Sequence, residues 1–276
     1  MLRGRMNRGL LILTVIVAVM FGITLSGELM DDTDQSPAIS FGAESLTVSV
    51  EDDEDVLLED VTAEDLEDGD VTESVVIESI SEFEDDGSRT VTYVAFDSGD
   101  NVTKADRSIY YSDYESPKII LLTELTVTVG SQINLQNCIR VDDVLDGNIT
   151  SLLQITESDY SQYYAGDYKI ALQVTNSAGD TSEAIFTIHC VEESSSSSMG
   201  IELTAYSAYV EKGDSFDPED YIKSVSGTDI RGNALTADDV SITDSVNTDQ
   251  EGQYTVIYEV ETSDGSDSVE LVVIVR

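Results

Sequence analysis

The chain has 276 residues, of which 41% are hydrophobic, and 56 Asp and Glu against 13 Lys and Arg give a formal net charge of −43 at pH 7. So acidic a chain has no basic stripe to displace counterions from phosphates, which excludes a nucleic-acid-binding protein. Its apolar residues recur with a regular period, so packed cores are expected rather than a disordered coil.

The first predicted element is a hydrophobic helix within residues 1–26. Three arginines precede an uncharged apolar run from Leu10 to Leu25, which is the layout of a secretory signal or a membrane anchor. No clear small-residue cleavage site follows the run, and the arginines are expected on the cytoplasmic side. The sequence therefore predicts a membrane partner for this segment, with a single N-terminal span and an extracellular remainder. Secretion after cleavage of the segment is the alternative.

The rest of the chain repeats one pattern three times. Stretches that begin at Gly87, Gly166 and Gly252 align without a gap, and each alternates apolar and polar residues before a Ser/Gly/Asp/Asn cluster. Period-two alternation is typical of a half-buried strand, and the cluster predicts a hairpin turn. An upstream landmark, DGDVT, DGNIT or GNALT, precedes each stretch at nearly constant spacing. These features predict three homologous domains.

Composition sets the predicted boundaries. The predicted segments are a signal or anchor at 1–26, a polar stalk at 27–36, domains at 37–116, 117–192 and 200–276, and a serine-rich linker at 193–199. Many short strands with frequent turn signals, and no helix beyond the anchor, predict an all-β protein made of sandwiches. The serine-rich linker predicts that the third domain is loosely hinged to the second.

The recurring order V-x-V … D-x-x-D-G-D-[VI]-T … G-x-Y-x-V-x-Y-x-A-x-D-x-x-G-N resembles bacterial immunoglobulin-like surface domains. These are the type named after the Ig-like domain of a pesticidal crystal protein, similar in appearance to hyalin-repeat and cadherin-like modules. The resemblance covers most of residues 37–276 in three tandem copies. The third copy lacks the acidic pair before its glycine, and the first has Arg89 where the pattern has tyrosine. The resemblance implies three tandem Ig-like β-sandwiches of a bacterial surface protein, but no single function.

The acidic loops are candidate calcium sites. In an Ig-like sandwich the loop between the second and third strands shares a pole with the loop between the last two strands, and that pole faces the preceding domain. The segment between the first two domains is expected to reach the same pole, so the junction of these two domains is the preferred place for calcium. Calcium takes about six to eight oxygen ligands, mostly carboxylates and carbonyls. The alternative is that Asp and Asn before glycine form turns while the other acids are solvated. The candidate ligands are Asp65, Asp68, Asp70, Asp97, Asp100, Asp113, Glu115, Asp142, Asp143, Asp146 and Asp180.

The two cysteines, Cys138 and Cys190, both fall in the second predicted domain. Outside the membrane they are expected to form a disulfide, and two buried free thiols are the alternative. No C-x-x-C pair is present, so the sequence suggests neither a zinc site nor a redox motif.

No catalytic residue is predicted. The single histidine, His189, alternates with Ile188 and Cys190, so it is expected to point to solvent, and one histidine supports no convincing Ser–His–Asp arrangement. The carboxylates are too numerous to single out a glycosidase pair. We therefore expect a protein that is not an enzyme and whose only candidate cofactor is Ca²⁺.

Tyrosine is abundant, with 13 residues and no tryptophan in the chain. Tyr160, Tyr163 and Tyr164 form a candidate ligand surface because tyrosine is an amphipathic contact residue. Ordinary packing in a β-sandwich is the alternative. We expect a structural or adhesive protein that binds an extracellular protein or glycan. A carbohydrate-binding module and the extracytoplasmic sensor of an envelope regulator are the alternative functions.

Overall fold

The computed structural model describes residues 36–192, 200–262 and 265–276, which form β-strands joined by turns and short 3-10 segments. This confirms the predicted all-β class. The predicted N-terminal helix and the serine-rich linker lie outside the described residues. Within the described ranges, no helical segment is long and apolar enough to cross a membrane.

The first compact unit ends at Tyr114 and contains one pair of sheets. One sheet has the order β1-β3-β4 and the other has the order β2-β7-β6-β5, in which only β2 and β7 run parallel. The strands are β1 (Ala38–Phe41), β2 (Ser45–Val48), β3 (Val61–Asp65), β4 (Gly69–Asp70), β5 (Val76–Ile80), β6 (Arg89–Phe96) and β7 (Val102–Tyr111). Alternate residues of β6, namely Val91, Tyr93 and Ala95, are fully buried between the sheets, as their period-two pattern predicts.

The second unit spans Glu115–Arg276 and contains two pairs of sheets with nearly the same strand orders. The second sheet pair has β8 (Lys118–Leu121), β9 (Leu125–Thr128), β10 (Ile139–Asp143), β11 (Gly147–Asn148), β12 (Gln154–Ser158), β13 (Gly166–Thr175) and β14 (Thr181–Val191). Its sheets have the orders β11-β10-β8 and β12-β13-β14-β9. Ile170, Leu172 and Phe186 lie in its core.

The third sheet pair has β15 (Gly200–Leu203), β16 (Ser207–Val210), β17 (Ile222–Ser226), β18 (Ser241–Thr243), β19 (Gly252–Thr262) and β20 (Gly265–Val275). Its sheets have the orders β15-β17 and β16-β20-β19-β18. Val256, Tyr258 and Leu271 are fully buried in its core. In all three sheet pairs the long central hairpin carries the core, and an early strand joins it in parallel.

The second and third sheet pairs pack against each other. Val272 of β20 is buried in the core cluster of the second sheet pair, and Tyr206 and Ile274 pack against the same cluster. The predicted loose hinge between the second and third domains is therefore wrong, because apolar side chains of the third sheet pair are shared with the second. The finer domain boundaries stay a prediction.

Candidate functional sites

The acidic loop after β3 is a turn closed by an aspartate. Oδ1 of Asp65 accepts hydrogen bonds from the backbone nitrogens of Glu67 (2.7 Å) and Asp68 (2.9 Å). These backbone donors stabilise the charged carboxylate and lower the pKa of Asp65 below its usual value. The turn chemistry expected of Asp before Gly is thus present.

Equivalent turns follow β10 and β17. Oδ1 of Asp143 accepts from the backbone nitrogens of Leu145 (2.9 Å) and Asp146 (2.8 Å). In the third sheet pair, Oδ1 of Asp229 accepts from the backbone nitrogens of Arg231 (2.8 Å) and Asn233 (2.7 Å), so the second donor lies one residue further along the chain. The third sheet pair lacks the acidic pair that precedes the glycine in the first. Its turn still forms, because the aspartate that accepts the backbone hydrogen bonds is kept as Asp229.

A second aspartate of the loop joins it to the loop between the last two strands. Asp68 accepts from the backbone nitrogen of Ser98 (2.7 Å) and from its hydroxyl (2.9 Å). Asp146 makes the same two contacts with Ser177, at 2.6 and 2.7 Å. The two loops therefore meet at one pole, as sandwich topology predicts, and a carboxylate bridges them.

The remaining candidate calcium ligands of these loops serve local contacts. Asp70 accepts from the backbone nitrogen of Thr72 (3.0 Å), and Asp142 forms an ion pair with Arg140 at 2.8 Å. Asp100 and Asp180 lie in the turns after β6 and β13, where Asp180 donates its backbone nitrogen to Asn176. Among residues 36–192, 200–262 and 265–276, no group of three or more His, Cys, Asp and Glu side chains is placed to hold a metal ion.

Asp113 lies near the end of the first unit and Glu115 begins the second, and each has local partners. Asp113 accepts from the hydroxyl of Ser49 (2.6 Å) and from the backbone nitrogen of Val50 (2.9 Å). It follows β7, whose other end carries the loop with Ser98, so the length of the strand separates Asp113 from that loop. Glu115 is paired with Lys118 and, at 3.2 Å, with Arg276. Lys118 lies opposite Asp142 in the register of β8 and β10, so Glu115 is at the pole of the second sheet pair that carries the acidic loop. The calcium site stays a prediction.

One carboxylate oxygen in the first sheet pair is buried without a hydrogen-bond partner, namely Oδ2 of Asp65. In the second sheet pair the equivalent oxygen, Oδ2 of Asp143, accepts from Nδ2 of Asn176 at 3.0 Å. The residue of the first sheet pair that corresponds to Asn176 is Asp97, whose side chain has no N–H group to donate. Both carboxylates of this pair are buried, with exposures of 7% for Asp65 and 8% for Asp97. Sequence reasoning missed this difference. It is visible when DSGDN (97–101) is aligned with NSAGD (176–180), because the first position changes from Asp to Asn.

The candidate tyrosine surface divides into buried and exposed members. Tyr160 is half-buried, its hydroxyl donates to the carbonyl of Ser131 (2.8 Å), and its ring packs edge-on against Tyr168 with centroids 5.6 Å apart. Tyr163 and Tyr164 are 72% and 73% exposed. These two residues lie on the turn between β12 and β13, not on a sheet face, so they form no flat platform along a sheet.

Both cysteines are free thiols in the structure, so the predicted disulfide is absent from it. Cys138 directly precedes β10, where its carbonyl accepts from the backbone nitrogen of Leu122 (2.7 Å). Cys190 lies in β14 of the opposite sheet, in register with Val127 of β9, and its thiol lies beside the phenol of Tyr160. Burial raises the pKa of the Cys138 thiol, which disfavours the thiolate that disulfide formation requires.

His189 is half-buried rather than fully exposed, and its Nδ1 lies 2.8 Å from Oδ1 of Asp167. This pair lies on the outer face of the β13–β14 hairpin, where the two residues are directly opposite each other.

The contact between the second and third sheet pairs is built on backbone groups of an edge strand. β8 is at the edge of its sheet. The hydroxyl of Tyr209 accepts from the backbone nitrogen of Ile119 (2.7 Å), and the hydroxyl of Ser207 accepts from that of Leu121 (2.9 Å). Burial raises the pKa of Tyr209 to about 12, so its hydroxyl stays protonated at neutral pH.

The edge of β14 beyond the end of β9 is also covered by a side chain of the third sheet pair. The side-chain amide of Gln253 accepts from the backbone nitrogen of Ile185 (2.9 Å) and donates to its carbonyl (2.5 Å). β9 pairs with β14 only over Ile188–Val191, so Gln253 takes the place of a strand residue beyond the end of β9. Nearby, the hydroxyl of Thr187 donates to Glu270 at 2.7 Å.

The contact between the second and third sheet pairs also brings acidic side chains close together. Burial raises the pKa of Glu124, whose charge is further disfavoured by Asp267 and Glu270 and favoured by His189. Sequence reasoning missed this whole contact. A signal was present, since Tyr209 occupies the register position of Thr47 and Thr126 in the other two sheet pairs.

Comparison with known proteins matches part of the chain to a family. Residues 203–275 match the model of a bacterial surface protein Ig-like domain. The pesticidal crystal protein Cry22Aa of Bacillus thuringiensis is 26% identical over 162 residues, covering 57% of this chain and 22% of that protein. An uncharacterized 81.3 kDa protein of Acholeplasma phage L2 is 26% identical over 151 residues, covering 54% of this chain and 19% of that protein. The chain thus spans about a fifth of the length of these relatives.

Two solved structures that resemble the chain come from Clostridium perfringens and Drosophila. One contains the CBM51-2 domain in complex with GlcNAc and the INT domains of Clostridium perfringens ZmpB, with 21% identity and a TM-score of 0.26 over 52% of this chain and 30% of that chain. Another is Drosophila N-cadherin EC1-3, with 12% identity and a TM-score of 0.28 over 72% of this chain and 80% of that chain. Overlaps of this quality carry no functional argument.

Proposed function

We propose that this chain is a non-catalytic bacterial surface protein whose Ig-like sheet pairs hold a partner-binding surface away from the membrane. The surface location is supported by the match of residues 203–275 to an Ig-like domain of bacterial surface proteins. The apolar run from Leu10 to Leu25 would supply attachment.

The observation that carries the structural part of the proposal is the contact between the second and third sheet pairs. Side chains of the third sheet pair satisfy backbone groups on two strand edges of the second, at Ile119 and Leu121 of β8 and at Ile185 of β14. Such bonds have fixed direction, and those at Ile119 and Leu121 are at least partly buried, so they resist bending between the two bodies. A stiff double module suits a protein that must hold a surface in position.

The location is tested on intact bacteria that produce the full chain. An antibody against the third sheet pair should label unpermeabilised cells, and protease added outside should remove the label. A cytoplasmic marker protein probed in the same way is the control. Labelling only after permeabilisation overturns the surface location.

The adhesive role is tested with cells that produce or lack the full chain. Cells that produce it should adhere better to a second cell or to a coated surface, and shaving with protease should remove the difference. If the two cell types adhere alike to every surface tested while the antibody labels the producing cells, the chain is at the surface and the adhesive role is wrong.

A further inference from the structure

Tyr163 and Tyr164 are the most exposed tyrosines of the described chain. Exposed aromatic rings are common at binding surfaces, but rings on a mobile loop lose entropy when they bind. The value of this pair for recognition therefore depends on how firmly its turn is held.

The turn is held at three points by hydrogen bonds. The backbone nitrogen of Gly130 donates to the carbonyl of Gln162 (2.7 Å), and the hydroxyl of Tyr160 donates to the carbonyl of Ser131 (2.8 Å). The hydroxyl of Tyr168 donates to the carbonyl of Tyr164 itself (2.9 Å). The backbone that presents the two exposed rings is thus fixed before any partner arrives, which lowers the entropic cost of binding.

The other two sheet pairs serve as internal comparisons. Tyr168 occupies the register position of Arg89 and Tyr254, and the hydroxyl of Tyr254 donates to the residue four positions earlier, as that of Tyr168 does. The residues that correspond to the exposed tyrosines are Glu84 and Asp85 in the first sheet pair and Asp249 and Gln250 in the third. The fold therefore does not require aromatic residues on this turn.

The surroundings of the pair are acidic. Asp159 and Asp167 flank the turn, and both are exposed. Each uses Oδ1 within the protein, Asp159 for the backbone nitrogen of Lys169 (2.6 Å) and Asp167 for His189. Residues 154–192 contain six Asp and Glu against one Lys. Tyrosine rings with neighbouring carboxylates attract cations, because the ring face and the carboxylate are both negative.

We propose that Tyr163 and Tyr164 bind a cationic segment of a partner polypeptide, with arginine side chains against the rings and positive charge beside Asp159 and Asp167. Arginine stacks on aromatic faces and pairs with carboxylates through the same guanidinium group. A second copy of this chain is disfavoured as the partner, because two molecules of net charge −43 repel each other. This inference rests on the proposed partner-binding role and names the chemistry of the partner.

The test uses the full chain and two labelled probes, the peptides Arg-Gly-Arg-Gly-Arg-Gly and Lys-Gly-Lys-Gly-Lys-Gly, in fluorescence anisotropy titrations at near-physiological salt. The variant is Tyr163→Ala with Tyr164→Ala, which leaves the net charge unchanged. The control is Tyr110→Ala, which removes another exposed tyrosine. We expect the double variant to bind the arginine peptide about tenfold more weakly, the control to bind it like the wild type, and the lysine peptide to bind more weakly than the arginine peptide.

If the wild type, the double variant and the Tyr110→Ala control bind the arginine peptide with equal affinity, the proposal is overturned, since the net charge alone would then explain binding. Failure of the wild type to bind either peptide overturns it as well. Binding of a neutral chito-oligosaccharide that requires the two tyrosines, without binding of the peptides, replaces the cationic partner with a glycan. None of these results changes the adherence and labelling outcomes on intact cells, so the failure of this site and the failure of the proposed function are distinguishable.

Discussion

The hydroxyl oxygen of Tyr209 lies 2.7 Å from the backbone nitrogen of Ile119, so a side chain of the third sheet pair satisfies an edge strand of the second. Unpaired strand edges invite pairing with other chains, and proteins cover or blunt them. Here the next sheet pair provides the cover. The same bond that joins the two bodies also removes an exposed edge.

Tyr209→Phe should therefore destabilise the second unit. The change keeps the ring but leaves the buried nitrogen of Ile119 without its acceptor, which costs about 1–3 kcal/mol. For a unit of this size we expect Tm to fall by roughly 2–10 °C in thermal unfolding followed by circular dichroism. Tyr110→Phe, which removes an exposed hydroxyl, is the control and should leave Tm nearly unchanged. An unchanged Tm in both variants would mean that Tyr209 contributes only through its ring.

A charge-conserving exchange should stabilise the first unit. Asp97→Asn with Asn101→Asp reproduces the second sheet pair, where Asn176 donates to Asp143 and accepts from the backbone of Asp180. The orphaned Oδ2 of Asp65 then gains a donor, and we expect about 1 kcal/mol of added stability, measured by denaturant unfolding.

The single change Asp97→Asn is the control for that exchange, because Nδ2 of Asn101 now donates to Oδ2 of Asp97 and would lose this acceptor. The single variant should gain less than the exchange. A loss of stability in the exchange would show that Oδ2 of Asp65 is already served by solvent.

Glu124→Gln should stabilise the second unit at neutral pH but not in acid. The pKa of Glu124 is raised above its usual value of 4.5, chiefly by burial. The folded state therefore holds this proton more tightly than the unfolded state, and stability falls as pH rises from 4.5 through the raised pKa. Gln removes that loss, so its Tm should exceed the wild-type value at about pH 7 and match it at about pH 4. Glu157→Gln, on exposed β12, is the control, and an equal shift at both pH values would contradict the assignment.

Gly200→Ala should cost more stability than Gly166→Ala. The two glycines have similar positive φ angles, +155° and +151°, so the backbone strain is matched. A Cβ at Gly200 would lie 1.8 Å from Oδ2 of Asp267, whereas one at Gly166 would meet nothing within 4 Å. Displacing Asp267 also breaks the hydrogen bond that its carboxylate accepts from the backbone nitrogen of Ile201 (3.2 Å). The difference in Tm between the variants measures this contact, and equal losses would show that strain alone sets the cost.

Much of the fold could be predicted from the sequence, because strands and turns are read from short-range patterns. The alternation of Val91, Tyr93 and Ala95 predicts a half-buried strand, and Asp before Gly predicts the turns closed by Asp65 and Asp143. The meeting of the two loops at one pole follows once the order of strands is known. The calcium site stays a prediction, because the same carboxylates also accept hydrogen bonds within the turns.

The sequence by itself determined the all-β class, the period of the strands and the acidic turns, since each depends on residues a few positions apart. Only the tertiary structure decided that Tyr209 and Gln253 hold the second sheet pair, that Oδ2 of Asp65 is buried without a donor, and that the two cysteines are free thiols. Those relationships join residues far apart in the chain, and they depend on which strand edge faces which side chain. Periodicity determines the face of a strand on which a residue lies, but it does not determine what lies opposite that face.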